Sequence, residues 1–248
     1  MNHEHQVTPP TLGGLAFCSY VYGALTSYDN SLDDFRARSN GRPELEQPEE
    51  RFALISWLNQ WGCRLPNAHH ALLADRLGSW YKEHRPLLPD HDRRLQTMSD
   101  SELAVFAPVF SALVGLGESL PENGAKTKFR STAASKTLFA LQPYAFVAWD
   151  RPIRTRLGLG ESGEDYVRFL IRVREDLIRL AEEARTHDLE LAELPQLFGR
   201  EQSTPADLVN RFYWVTLTRK LQPPSSELLE RWANWSRQWN RRVDTQYG

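Results

Sequence analysis

Between Ser162 and His187, the residues Tyr166, Phe169, Leu170, Val173, Leu177, Leu180 and Ala184 recur at three- and four-residue spacing, with charged residues filling most of the gaps. That period gathers the apolar side chains into one stripe along a helix of about seven turns. A stripe of this length cannot stand in water, so other elements must cover it. Most of the remaining chain offers helices as the cover. From Glu44 to Trp61, Phe52, Ile55, Leu58 and Trp61 keep helical spacing, and from Asn67 to Tyr81 the pattern points Ala71, Leu72, Leu77 and Trp80 inward.

Ser99 followed by Glu102 reads as a capping box for an apolar helix, which Pro108 is expected to kink. Asp150 is suited to cap a short helix that admits Pro152 in its first turn, and Gly158 and Gly160 end it. Thr204-Pro205 opens another helix, with Val209, Phe212, Tyr213 and Val215 to pack. Ser226 to Arg242 carries Trp232, Trp235 and Trp239 on one face. Leu15 to Tyr22 fits a short strand or a helix equally well. With about eight helices and hardly a convincing strand, the expected class is all-α, packed as two lobes with a cleft between them. The expected division is a segment 1–42 whose structure the sequence does not decide, a helical core over 43–190, and C-terminal helices over 191–248 that pack on that core.

A chain of 248 residues with 41% hydrophobic content can bury a full core without staples. The strongly apolar uncharged stretch Leu103 to Gly117 falls short of the roughly 20 residues a membrane span needs. The start, Met1-Asn2-His3-Glu4-His5, lacks a basic region leading into an apolar one, so the expected location is cytoplasmic. Cys18 and Cys63 are the only cysteines, and the histidine pairs His3/His5 and His69/His70 have no metal-binding spacing. Neither a metal nor a cofactor is expected, and the cysteines read as structural thiols.

Charge is distributed unevenly although the net value is only −2. From Gly124 to Gly158 the basic residues Lys126, Lys128, Arg130, Lys136, Arg151, Arg154 and Arg156 face a single acidic one, Asp150. A second basic run lies between Arg219 and Arg242, whereas Asp29 to Glu50 is acidic. A polyanion is the partner such a basic segment attracts, although charge runs also serve simply as solvated faces. Lys136 stands apart from its neighbours. On a helical wheel it shares a face with Phe129, Thr132, Ala133, Phe139 and Ala140. The chain uses 25 arginines and only five lysines, so a lysine kept in apolar surroundings suggests amine chemistry, because arginine does not deprotonate in proteins. Burial lowers the pKa of an ammonium group and frees the amine as a nucleophile. A snorkelling lysine, or one paired with Asp150 for structure alone, satisfies the same pattern.

The runs Ser135-Lys136-Thr137-Leu138, Leu141-Gln142-Pro143 and Phe146-Val147-Ala148-Trp149-Asp150-Arg151-Pro152-Ile153 resemble the core of the helix-hairpin-helix DNA glycosylase superfamily. The nearer likeness is to bacterial proteins with an 8-oxoguanine-glycosylase-like fold, whose pattern is Ser-Lys-x-Leu, Leu-x-Pro and Phe-Pro-x-Trp-Asp. It covers about residues 125 to 160 and departs at the second proline, where Val147 stands. What the resemblance implies is a two-lobed glycosylase-like fold with a divergent helix-hairpin-helix, acting on duplex DNA with a flipped base. Lys136 would be the nucleophile, with Asp150 stabilising the charge that develops on the sugar. Excision of a damaged or modified base would follow, together with AP lyase activity. In the same frame Tyr144, Phe146 and Trp149 would line the base pocket, and Lys126, Lys128, Arg130, Arg151, Arg154 and Arg156 would hold phosphates. Two features differ from the superfamily: Thr132-Ala133-Ala134 replaces the usual hairpin glycines, and only fourteen residues separate Lys136 from Asp150. The first difference favours a glycosylase-fold protein that binds DNA without chemistry. The tryptophan-bearing C-terminal helix suits a third role, docking a protein partner.

Overall fold

A computed structural model describes residues 7–39, 41–117, 129–225, 227–229 and 231. Every regular element among them is helical, and none is a strand. The ambiguous N-terminal run resolves as α1 (Leu12–Leu25), capped by the Thr11 side chain. It is followed by α2 (Tyr28–Arg38), α3 (Pro48–Gln60) and α4 (His70–His84). The inward faces of α3 and α4 differ from the expected ones. Phe52 is 47% exposed, whereas Leu54 and Trp57 are buried beside Ile55 and Leu58. On α4, Leu73, Ala74, Leu77, Trp80 and Tyr81 face inward, while Ala71 is exposed. Both short helices are covered on two sides, so no single stripe settles which apolar residue wins the interior.

Pro108 does more than kink its helix. It has no N–H to give the carbonyl of Ala104, and the chain breaks at Val105 into α5 (Asp100–Ala104) and α6 (Phe106–Gly115). The capping box predicted at Ser99 and Glu102 is present at the start of α5. Next come α7 (Ser131–Leu141), α8 (Arg151–Arg156) and α9 (Gly163–Arg185), the last opened by Ser162 and Asp165. All seven residues of the predicted stripe on α9 are buried. A single turn, α10 (Leu194–Leu197), leads to α11 (Pro205–Tyr213), which continues as a π-helical turn through Thr218. The Trp232/Trp235/Trp239 face lies outside the described residues.

Buried side chains from α1 to α11 join one contiguous apolar core. The N-terminal segment, whose form the sequence leaves undecided, is part of it: α1 packs on α11 and α9, with Tyr22 edge-on to Trp214 at 5.1 Å. A buried ion cluster ties the same region together. Arg211, 2% exposed, bonds Asp207 at 2.8 Å and Asp29 of α2 at 3.0 Å, and lies over the Tyr22 ring. Removing one partner from such a cluster would leave an uncompensated charge in the interior.

At the centre runs an irregular segment, residues 142–150, that belongs to neither helix nor sheet. Backbone groups buried there need partners from elsewhere. The Pro143 carbonyl accepts from Thr204 Oγ1 at 2.9 Å, that of Tyr144 from the Leu95 N–H at 2.9 Å, and that of Val147 from Tyr166 Oη at 3.0 Å. The Ser135 hydroxyl accepts the Trp149 N–H at 3.1 Å and donates to the Trp149 carbonyl at 3.3 Å.

Where α9 starts it meets α6 so closely that a Cβ on Gly163 would collide with the Ala107 carbonyl oxygen and Ser111 Oγ. Gly163→Ala is therefore expected to lower the unfolding free energy by about 1–3 kcal/mol. Gly115→Ala, where open space surrounds the position, should be neutral or stabilising. Guanidinium denaturation of the two variants checks the contrast.

Candidate functional site around Lys136

The end of α3 prepares the site. Gly62, at φ +79°, lets the chain turn back, so that its N–H reaches the Asn59 carbonyl at 3.0 Å and the Cys63 N–H reaches the Leu58 carbonyl at 2.9 Å. This is a Schellman closure, and it leaves the Trp61 carbonyl facing outward from the helix end. Packing of α7 on α3 brings Lys136 to that point. Lys136 Nζ donates to the Trp61 oxygen and sits 5.5 Å from the centre of the Trp61 ring. A cation is favoured there by the negative end of the helix dipole.

Burial is the largest influence on the amine and lowers its pKa below the ordinary lysine value, while Cys63 and Asp150 act in the opposite direction. The Cys63 thiol, itself 8% exposed, is pushed up by its own burial. Asp150 is thus within electrostatic reach of Lys136, but the two make no ion pair. Its carboxylate heads α8 instead. Oδ1 accepts the Ile153 N–H at 2.9 Å, and Thr218 Oγ1 donates to Oδ1 and Oδ2 at 3.0 and 2.8 Å.

The three aromatic residues expected to line a base pocket are separated. Trp149 is 1% exposed and packed among Phe110, Tyr166 and Phe169, with its indole N–H on the Ser131 carbonyl at 3.0 Å. Phe146 is fully buried, edge-on to Phe106 at 4.8 Å. Neither can stack on a ligand, because both fill the core that holds the segment in place. Tyr144 alone borders open space, a cavity of about 440 Å³ shared with Arg94, Gln96, Thr204 and Pro205. Thr204 begins α11, whereas Thr218, at its far end, touches Asp150. Neither Lys136 nor Asp150 lines this cavity, so it is not the pocket of a Lys136/Asp150 site. A second cavity of about 230 Å³, bordered by Asp29, Asp33, Arg36 and Arg211, is lined by neither residue.

Among the basic residues, Arg154 is withdrawn from any phosphate role. It is 5% exposed, bonded to Glu161 at 2.7 Å and the Gly160 carbonyl at 3.2 Å, and lies over the Trp149 ring. Arg130, Arg151 and Arg156 are exposed and make no ion pair with a described residue. The Trp149 indole ties the segment just before α8 to the Ser131 carbonyl at the start of α7. Lys126 and Lys128 lie outside the described residues. Thr132, Ala133 and Ala134 sit in the first turn of α7, not in a hairpin turn.

Sequence reasoning missed three members of the site. Gly62 after an apolar helix was the available signal for the α3 terminus, and with it for a Trp61 carbonyl left without a partner in its own helix. Cys63 and Thr218 gave no signal, since they are brought in from 73 and 68 residues away along the chain.

Lys136 provides a thermodynamic test. A lysine whose pKa is lower folded than unfolded carries a cost while charged, and that cost is relieved as pH rises through its folded pKa toward the ordinary value of 10.5. Across that interval the unfolded chain binds more protons, so stability gains with pH. The gain should be smaller in Lys136→Met. Denaturation series from neutral to alkaline pH, compared as the difference between the two proteins, read it out.

No protein-family model, characterised protein or solved structure matches this chain.

Proposed function

We propose that this protein is a DNA N-glycosylase with lyase activity, in which Lys136 supplies the nucleophile and Asp150 the carboxylate. The observation that carries this reading is the Lys136 amine, its pKa lowered by burial and within electrostatic reach of a carboxylate fixed at the head of α8. Arg130, Arg151 and Arg156 supply exposed positive charge for a backbone of phosphates. In the same reading the helices form a two-lobed glycosylase-like arrangement, and the target nucleotide leaves the stack at a cost of roughly a few kcal/mol.

The neutral amine attacks C1′, the bond from C1′ to the base nitrogen breaks, and the base leaves with the electron pair and takes up a proton. Asp150 faces the positive charge that grows on the sugar and stabilises it. The amine then loses its proton and the sugar ring opens to an imine. Elimination across C2′ and C3′ expels the 3′ phosphate and cuts the strand.

Borohydride reduction in the presence of abasic and base-damaged duplexes tests the reading. Wild type should yield a covalent adduct with at least one duplex, and Lys136→Gln should yield none. Absence of an adduct across the panel rejects the enzyme. A second reading is favoured by the bond from Lys136 to the Trp61 carbonyl, which makes the lysine a cap for α3 in a DNA-binding protein without chemistry. It calls for salt-sensitive DNA binding that survives Lys136→Gln, with no adduct from wild type.

A further inference from the structure

Among the described residues the one π-helical turn is Trp214–Thr218, where α11 gives way. There the Arg219 N–H reaches back five residues to the Trp214 carbonyl at 2.9 Å. Such a wide turn inserts a residue and rotates the side chains after it by about 100° relative to a continuous α-helix. Thr216 and Thr218, two residues apart, then have different fates. Thr216 Oγ1 bonds back to its own helix, at the Phe212 carbonyl, 2.7 Å away. Thr218 Oγ1 instead crosses to α8 and donates to Asp150.

Capping α8 does not require this contact, because the Ile153 N–H already meets Oδ1. What the hydroxyl adds is a second point of attachment spanning both carboxylate oxygens, and two attachments fix the plane of the group where one leaves it free to turn. The π turn also packs against α8, so the donor is held by the backbone as well as by its own rotamer.

We infer that Thr218 is a positioning residue for Asp150, the π turn serving to aim its hydroxyl so that the carboxylate is held in one orientation toward the reacting sugar. This rests on the glycosylase reading given above. Thr218→Val keeps the shape and removes only the hydroxyl, while Thr218→Ser keeps the hydroxyl. In single-turnover borohydride trapping, Thr218→Val should lower the rate at saturating DNA by about tenfold or more, as misplacement of a catalytic group does. The DNA concentration giving half the maximal rate should not change, and Thr218→Ser should return the rate to within about threefold of wild type. Thr218→Ala carries the same expectation as Thr218→Val, should the valine variant fail to fold. A saturating rate equal to wild type in both variants lacking the hydroxyl, a loss confined to DNA affinity, or a serine variant as slow as valine would each overturn the inference. Failure of the glycosylase reading looks different: wild type itself would then form no adduct, and the inference would fall with it.

Discussion

A stretch of backbone with no regular structure runs through the middle of the core, and its peptide groups are satisfied one by one from surrounding elements. Ser135 makes the decisive contact, exchanging hydrogen bonds with both backbone groups of Trp149. Losing that hydroxyl would strand a buried N–H, which costs on the order of 1–3 kcal/mol. The contact also fixes position, because Ser135 is the neighbour of Lys136 and Trp149 the neighbour of Asp150. One serine thereby ties the two chemically interesting groups to a common frame, while Tyr166, Thr204 and Leu95 hold the rest of the segment.

Within that frame the two charged groups are each occupied by a helix terminus. Lys136 serves the carbonyl end of α3, and Asp150 serves the amide end of α8. Both attachments are electrostatically sound and explain why an ammonium and a carboxylate within electrostatic reach of each other do not pair directly. For chemistry the arrangement has a clear demand: the amine must leave the Trp61 carbonyl to meet a substrate carbon. Burial assists that exchange, since it already weighs against the charged form that binds the carbonyl most strongly.

Periodicity made the buried stripe of α9 readable, because one long helix with one covered face leaves a single solution. Caps were equally legible: Ser99, Asp150 and Thr204 each begin a helix through a side-chain bond. The inner faces of α3 and α4 were not, since both carry apolar residues on more than one side. Aromatic residues of the 144–149 run were ambiguous for a related reason. A buried irregular segment and a pocket wall share the same composition, and only packing against Phe106, Phe110 and Tyr166 separates them. Arg154 was indistinguishable in sequence from Arg151 and Arg156 until Glu161 and Trp149 were seen to enclose it. Thr218 lay beyond any local pattern, its partner being 68 residues away.

The union of α1 with α11 bears on how the chain is made. Leu15, Cys18 and Tyr22 form an apolar surface whose cover is synthesised about 190 residues later, so α1 emerges from the ribosome long before its partner exists. Closing so large a loop late is entropically dear and slow. Until the ribosome has released α11, the first helix presents a sticky face to the cell, and shielding during translation becomes a requirement of this architecture.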